Sequence, residues 1–323
     1  MKILLHSPAS TVRRNGNRQT SSEWVHILRD AGHVVTPISA YEGEEADLLI
    51  ALHANKSREA LLKFRDTVPD GRTILALTGT DIYPEPDSDA IDSMRQADCL
   101  ITLQKKAIDI IPSDCHEKVI PVIQAARVLA PRPTGESKHF DVCVVGHLRD
   151  VKDPLLTARA SQLLPEDSKI QVLHAGGILD PKYAPLVAEE EKKNPRYTWL
   201  GELSEEETAR LMASSSLLSL TSWSEGGGRV VGEAIVHGTP VVSTRIEGIV
   251  GLLGDGYPGF FPAGEETALA KLLQRCEEDL DFYAGINSAA KGLAAQFSPD
   301  KERLALFAAV DHALQNPRPD TPA

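Results

Sequence analysis

Aromatic residues are scarce in this 323-residue chain, at 5%, and cysteine is scarcer still, with four in all. Cys99, Cys115, Cys143 and Cys276 form no CxxC and no paired spacing, so neither a disulfide scaffold nor a thiolate metal site is expected. Three of them lie in or beside apolar runs and read as small buried hydrophobes, which fits a reducing, cytoplasmic compartment. No apolar run approaches the roughly 20 residues that span a bilayer. The opening MKILLHSP carries no cleavable signal pattern. Positive charge is also short: 34 Lys and Arg against 46 Asp and Glu leave a net charge of −12. That balance argues against broad nucleic-acid binding and against stable membrane association. The deficit is uneven. Residues 1–139 hold 17 basic and 19 acidic side chains, whereas residues 140–323 hold 17 and 27, so the first half is freer to receive an anion.

What the chain has instead is a rhythm. KILLH, VVTPI, DLLIALH, TILALT, CLITL and KVIPVI are continuous rather than alternating apolar runs, the pattern of strands covered on both faces. Amphipathic helical segments separate them, the first predicted from a capping box at Thr20 and Glu23 to a stop at Gly32. Residues 126–139, ARVLAPRPTGESKH, lack periodicity and read as a linker. A second series follows in FDVCVVGH, IQVLHAGG, YTWLGE, LLSLT and PVVST, with a capping box at Ser204 and Glu207. A last helix is expected over 299–316. The fold class is therefore α/β, two tandem doubly wound parallel-sheet domains, residues 1–125 and 140–298, the last helix joining the first domain. Such a pair is expected to face across a cleft, with ligands outside the carboxyl ends of the strands.

The loops after strands carry the candidate chemistry. SEGGGRVVGEA places Glu225 before three glycines and Glu233 roughly two helical turns further on. Gly226, Gly227 and Gly228 allow close approach to backbone amides at a helix start, and each carboxylate suits vicinal hydroxyls of a sugar or a ribose. Read alone, the stretch is equally a glycine turn with one surface glutamate and one helix glutamate. In VVGHLRDVKDP, Arg149 and Lys152 follow Gly146 within one strand-to-helix turn, a pair suited to a diphosphate, although exposed cations before helices are common. The loop His6–Thr20, with Arg13, Arg14, Gly16, Asn17 and Arg18, precedes a helix and suits a phosphate, or is a solvated basic loop. His53 ends a strand, LTGTDIY presents Thr78, Thr80 and Asp81, and Gln104 follows the next strand in the same way. DSD at 87–89 lies in a proline-rich segment and reads as a helix start. No HExxH, Walker loop, GxGxxG or GxSxG is present, and no resident cofactor or metal is expected.

Glu225-x7-Glu233 with glycines after the first glutamate resembles the paired-glutamate motif of GT-B-fold, GT4-like glycosyltransferases, and Gly146…Arg149…Lys152 resembles their diphosphate-gripping loop. Over nearly the whole chain, GNRQTSSEW, LHANKS, LTGTDIY, VVGHLRDVKDP, YTWLGE, SEGGGRVVGEA and GLLGDGYPGFFP together resemble the selenosugar synthases of bacterial selenoneine biosynthesis. The resemblance implies transfer of glucose or N-acetylglucosamine from UDP-glucose or UDP-N-acetylglucosamine to selenophosphate, giving a 1-selenosugar with release of UDP and phosphate. It implies a donor site of Arg149, Lys152, Leu203, Glu225, Gly226–Gly228, Arg229 and Glu233. On the acceptor side it implies Gly16, Asn17, Arg18, His53, Thr78, Thr80 and Gln104, with His53, Asp81 and Glu225 nearest the chemistry. Gly228 and Arg229 depart from the Ala-Asn expected there in much of the group. The alternatives are a glycosyltransferase with a hydroxyl acceptor and a UDP-sugar epimerase on the same fold.

Overall fold

In a computed structural model of the chain, which describes residues 1–8, 16–135 and 138–315, every one of those apolar runs becomes a parallel strand. The chain divides into two units. The first comprises residues 1–124, the short segment Glu225–Gly227 and the C-terminal helix from Pro299; the second comprises 125–224 and 228–298. No described helix is long and apolar enough to cross a membrane.

The first unit runs β1 (Lys2–His6), α1 (Gly16–Asp30), β2 (Val34–Ile38), β3 (Leu48–Leu52), α2 (Arg58–Thr67), β4 (Arg72–Leu77), α3 (Ser88–Gln96), β5 (Cys99–Thr102) and β6 (Val119–Pro121). Its sheet has the order β2-β1-β3-β4-β5-β6, all parallel. Successive residues of β3 point to opposite faces, yet all five are buried, because both faces are covered. Leu48, Ile50 and Leu52 pack with Trp24, Leu28 and Leu306 of α1 and the C-terminal helix. Leu49 and Ala51 pack with Phe64 and Met94 of α2 and α3. The C-terminal helix is pinned by a buried hydrogen bond from Trp24 Nε1 to Glu302 Oε1 at 2.9 Å.

Asp87 does cap α3, its side chain accepting from the Ala90 amide. The capping box expected at Thr20 does not form. α1 starts four residues earlier, so Thr20 lies in its second turn and its hydroxyl donates back to the Gly16 carbonyl at 2.9 Å. Gly32, at φ +86°, follows the helix end in the left-handed conformation that stops a helix.

The second unit runs β7 (Phe140–Val145), α4 (Leu156–Ser161), β8 (Ile170–Ala175), α5 (Tyr183–Lys193), β9 (Tyr197–Gly201), α6 (Glu205–Ser214), β10 (Leu217–Leu220), α7 (Arg229–Val236), β11 (Val241–Thr244), α8 (Glu247–Leu253), β12 (Phe260–Phe261), α9 (Glu266–Glu278) and α10 (Leu280–Leu293). Its parallel order is β12-β11-β10-β7-β8-β9, the dinucleotide-fold order, with the switch point between β7 and β10. Two-residue β12 is too short to read from sequence. The Ser204–Glu207 capping box is complete at the start of α6. The stretch read as a linker has no helix or strand among its described residues, but it is tied down: Ala126 N donates to Phe297 O, and Arg132 to Gly238 O.

Replacing Trp24 by Phe keeps the ring in the core but removes the donor to a buried carboxylate. Thermal or urea unfolding is expected to show a loss of about 1–3 kcal/mol, the scale for a buried hydrogen bond to a charged group.

Candidate functional site

The second unit concentrates polar groups at its switch point. β7 is followed directly by Gly146, whose amide donates to Ala175 O, and the chain then turns through Leu148. Leu148 is fully buried and pins the loop, its amide donating to Gly177 O and its carbonyl accepting from Leu179 and Asp180. This leaves Arg149 exposed and Lys152 half-buried. Asp150 secures the far side, accepting from Tyr183 Oη at 2.9 Å and pairing with Lys182, which holds its carboxyl below the usual range. The loop after β10 lies alongside: Thr221 Oγ1 donates to the Lys152 carbonyl at 2.9 Å, and Trp223 N donates to Val151 O at 2.8 Å. Lys152 lines a small pocket with Gly146, His174, Ser219, Thr221 and Ser222.

Three residues that sequence reasoning passed over shape this loop. His174, on β8, is fully buried. Its Nε2 lies 3.1 Å from the Gly146 carbonyl, which can only accept, so Nε2 carries the proton and Nδ1 accepts from Tyr197 Oη at 3.0 Å. Burial pushes its pKa down to about 4, the Gly146 contact opposing more weakly, so the ring is neutral at working pH. A Cβ on Gly176 would overlap the same Gly146 carbonyl, so the strand ends approach backbone to backbone. His147 accepts from the Gly177 amide through Nδ1 at 3.0 Å, leaving Nε2 as a donor. Burial lowers its pKa, the Glu202 carboxylate raises it less, and Arg149 and Lys152 lower it further. The only local signal for His147 was a histidine directly after a strand-ending glycine. Leu203 follows β9 and is half-buried.

α7 carries the second glutamate. Its N-cap, Gly228, has φ +43°, the left-handed conformation that favours glycine, and a Cβ there would push aside the end of the Ile249 side chain. Arg229 opens the helix, and its Nε donates to Glu233 Oε1 at 2.9 Å. The glycines before it do more structural work than expected. In the first unit, a Cβ on Gly226 would overlap the Thr78 carbonyl, and one on Gly227 would lie 2.6 Å from Leu103 Cβ. Both glycines are buried, so packing within the protein already explains their bareness, whereas Glu225 is half-exposed.

The first unit has its own switch point, between β1 and β3. His53 directly follows β3 there, with φ +79°, a conformation that costs a non-glycine residue about 1–3 kcal/mol and clusters at functional positions. Its ring is 5% exposed, 3.2 Å from Thr80 Oγ1 through Nε2, with Nδ1 3.9 Å from Asp81 Oδ2. Burial lowers its pKa, and the Asp81 carboxylate opposes less strongly. Asp81 is not presented to solvent as expected. It is buried and accepts from the amides of Ala54, Thr78 and Gly79, so it builds the turn that holds His53 and Thr80. Gln104 is likewise a cap rather than an open ligand: it is fully buried, its Oε1 accepts from the amides of Lys106 and Ala107, and its Nε2 donates to Tyr83 Oη. Gly16 and Arg18 are exposed at the start of α1, with Asn17 half-buried beside them; Arg13 and Arg14 lie outside the described residues.

Two doubly wound units of six parallel strands each define the GT-B architecture. The same fold is found in sucrose-phosphate synthase from Thermosynechococcus elongatus, with TM-score 0.79 and 16% identity over 96% of this chain and 98% of that one. It recurs in Anabaena HepE, solved in complex with UDP-glucose, with TM-score 0.74 and 19% identity over 96% and 99%. The description Glycosyl transferases group 1 matches residues 130–292, half of the chain, and the protein belongs to that family. Among curated relatives, D-inositol 3-phosphate glycosyltransferase of Mycobacterium avium is 31% identical over 202 residues, and that of Mycolicibacterium smegmatis 30% over 206. These matches cover 59% and 60% of this chain but 46% of each relative, so the chain spans about half the length of the curated relatives it matches.

The buried imidazole sets a pH dependence. Unfolded, His174 takes up a proton near its ordinary 6.5; folded, it does so only near 4. Its contribution is therefore complete above pH 6.5 and is lost as pH falls through that interval, by up to about 1.4 kcal/mol per unit. His174→Gln, which still donates and accepts, is expected to flatten that part of the curve in urea denaturation at stepped pH.

Proposed function

We propose that the protein transfers a sugar from a UDP-sugar to selenophosphate, forming a carbon–selenium bond. Support for the transferase part is the loop at the β7–β10 switch point, where Arg149 and Lys152 follow one strand end and the chain leading to Glu233 follows the other, within a member of the glycosyl transferases group 1 family. In this reading Arg149 and Lys152 take the negative charge that grows on UDP as the glycosidic bond breaks, with no metal required. His147 offers a neutral N–H beside them. Backbone near Leu203 meets the base, Glu233 the ribose, and Glu225 with the Gly226–Gly228 amides the sugar and its phosphate, as the family resemblance implies. UDP-glucose bound to HepE supports a donor of this class.

The selenium acceptor rests on the ordered set of segments that resemble selenosugar synthases. Selenium attacks the anomeric carbon while the carbon–oxygen bond to UDP breaks and its electron pair leaves with UDP. Water then cleaves the selenium–phosphorus bond, giving the selenol and inorganic phosphate. The acceptor is a small anion and a strong nucleophile, so a powerful general base is not needed. The strained, neutral His53 with Thr80, on a turn built by Asp81, serves to orient it. Gly16, Asn17 and Arg18 complete the acceptor side. A hydroxyl acceptor is the second reading, favoured by the names of the curated relatives.

Mass spectrometry of the purified protein with UDP-glucose or UDP-N-acetylglucosamine, with and without selenophosphate generated in situ, separates the two. A product with the selenium isotope pattern, and UDP release only with selenophosphate, is expected. UDP release without a selenosugar from either donor returns the acceptor to the hydroxyl class. Lys152→Ala is expected to lower turnover about 10²-fold, the scale for removing one transition-state charge partner.

A further inference from the structure

Arg229 occupies the first position of α7, an eight-residue helix, where the unpaired amides already present partial positive charge. A cation there works against the helix. Its pairing with Glu233 is also in the weaker order, since acid before base at i, i+4 is the orientation that supports a helix. Helix stability therefore does not account for the pair. Nor is it a loose surface contact: the bond is 2.9 Å, and the two side chains are 15% and 27% exposed. An ion pair this far out of water holds its geometry better than one on the open surface.

Glu233 has one carboxylate oxygen committed to the guanidinium, with the carboxylate still reachable from solvent. A bare carboxylate beside a nucleoside diphosphate is a like-charge neighbour that weakens binding. A carboxylate paired with arginine keeps its acceptor capacity while its net charge is cancelled, and its plane is fixed by the guanidinium.

We propose that Arg229 is a positioning residue for nucleotide recognition, which orients and neutralises Glu233 so that its second oxygen accepts from a ribose hydroxyl without repelling the diphosphate. The inference rests on the nucleotide-sugar reading given above. It makes ribose discrimination a property of the Arg229–Glu233 pair rather than of Glu233 alone.

The test is calorimetric binding of UDP, uridine, 2′-deoxy-UDP and 3′-deoxy-UDP to the full chain, Glu233→Gln, Arg229→Ala and Arg229→Gln, the last retaining a side chain of similar reach. Wild-type protein is expected to bind UDP at least tenfold more tightly than one of the deoxy nucleotides, the scale of one charge-assisted hydrogen bond. Both Arg229 variants are expected to bind UDP about tenfold more weakly, to bind uridine with a smaller change, and to lose most of the deoxy discrimination. Variants with a lowered melting temperature but an unchanged UDP-to-deoxy-UDP ratio assign Arg229 to helix packing and overturn the proposal. Wild type and Glu233→Gln that bind UDP and both deoxy nucleotides alike remove Glu233 from the ribose, and with it the reading beneath.

Discussion

The carbonyl of Gly146 is the point from which the second unit's loops hang. It marks the end of β7 at the switch point, where the sheet order reverses and neighbouring loops diverge. Two neighbours fix it: the bare Cα of Gly176, which lets the strands close backbone to backbone, and the protonated Nε2 of His174 beneath. With that carbonyl held, Leu148 can bury itself and the cations that follow are delivered outward rather than into the core. Moving the carbonyl moves His147, Arg149 and Lys152 together, because they share one pinned turn. A 28-residue separation in sequence thus controls the placement of three side chains.

The first unit solves a similar problem with strain and a buried acid. His53 sits in a left-handed backbone conformation immediately after β3, and a carboxylate in the turn after β4 ties that turn to it through backbone amides. Asp81 acts as scaffold because both its oxygens are used by N–H groups, which satisfies a buried charge that would otherwise be costly. The histidine it steadies stays neutral, since burial outweighs the carboxylate's pull. The same logic recurs at His147, where burial outweighs Glu202. In both units the imidazoles near the strand ends are therefore neutral hydrogen-bonding groups rather than fixed cations, and the permanent positive charge comes from arginine and lysine.

Group 1 membership and the GT-B fold fit this division of labour. The fold supplies strand ends at which backbone amides, glycines and long cationic side chains are presented. At those positions this chain carries a histidine directly after Gly146 and an arginine at the head of α7.

Periodicity alone determined most of the architecture. Continuous apolar runs of strand length can be buried only between two helix layers, and that rule located eleven of the twelve strands among the described residues; two-residue β12 carried too little pattern to read. The Ser204–Glu207 cap was equally legible, because every atom it uses lies within four residues. Thr20 shows the limit of local reading, since its motif was present but the helix had already begun at Gly16. Position in the pattern likewise marked Arg149, Lys152, Glu225 and His53 as residues that follow strands, and Glu233 as one inside the next helix. Tertiary structure alone decided what each was free to do. Gly226 and Gly227 are bare because Thr78 and Leu103 lie against them, Asp81 accepts from the distant Ala54 amide, and the Gln104 amide group donates to Tyr83 Oη. Burial, and with it charge state, and those partners that come from distant parts of the chain are encoded by no local sequence pattern.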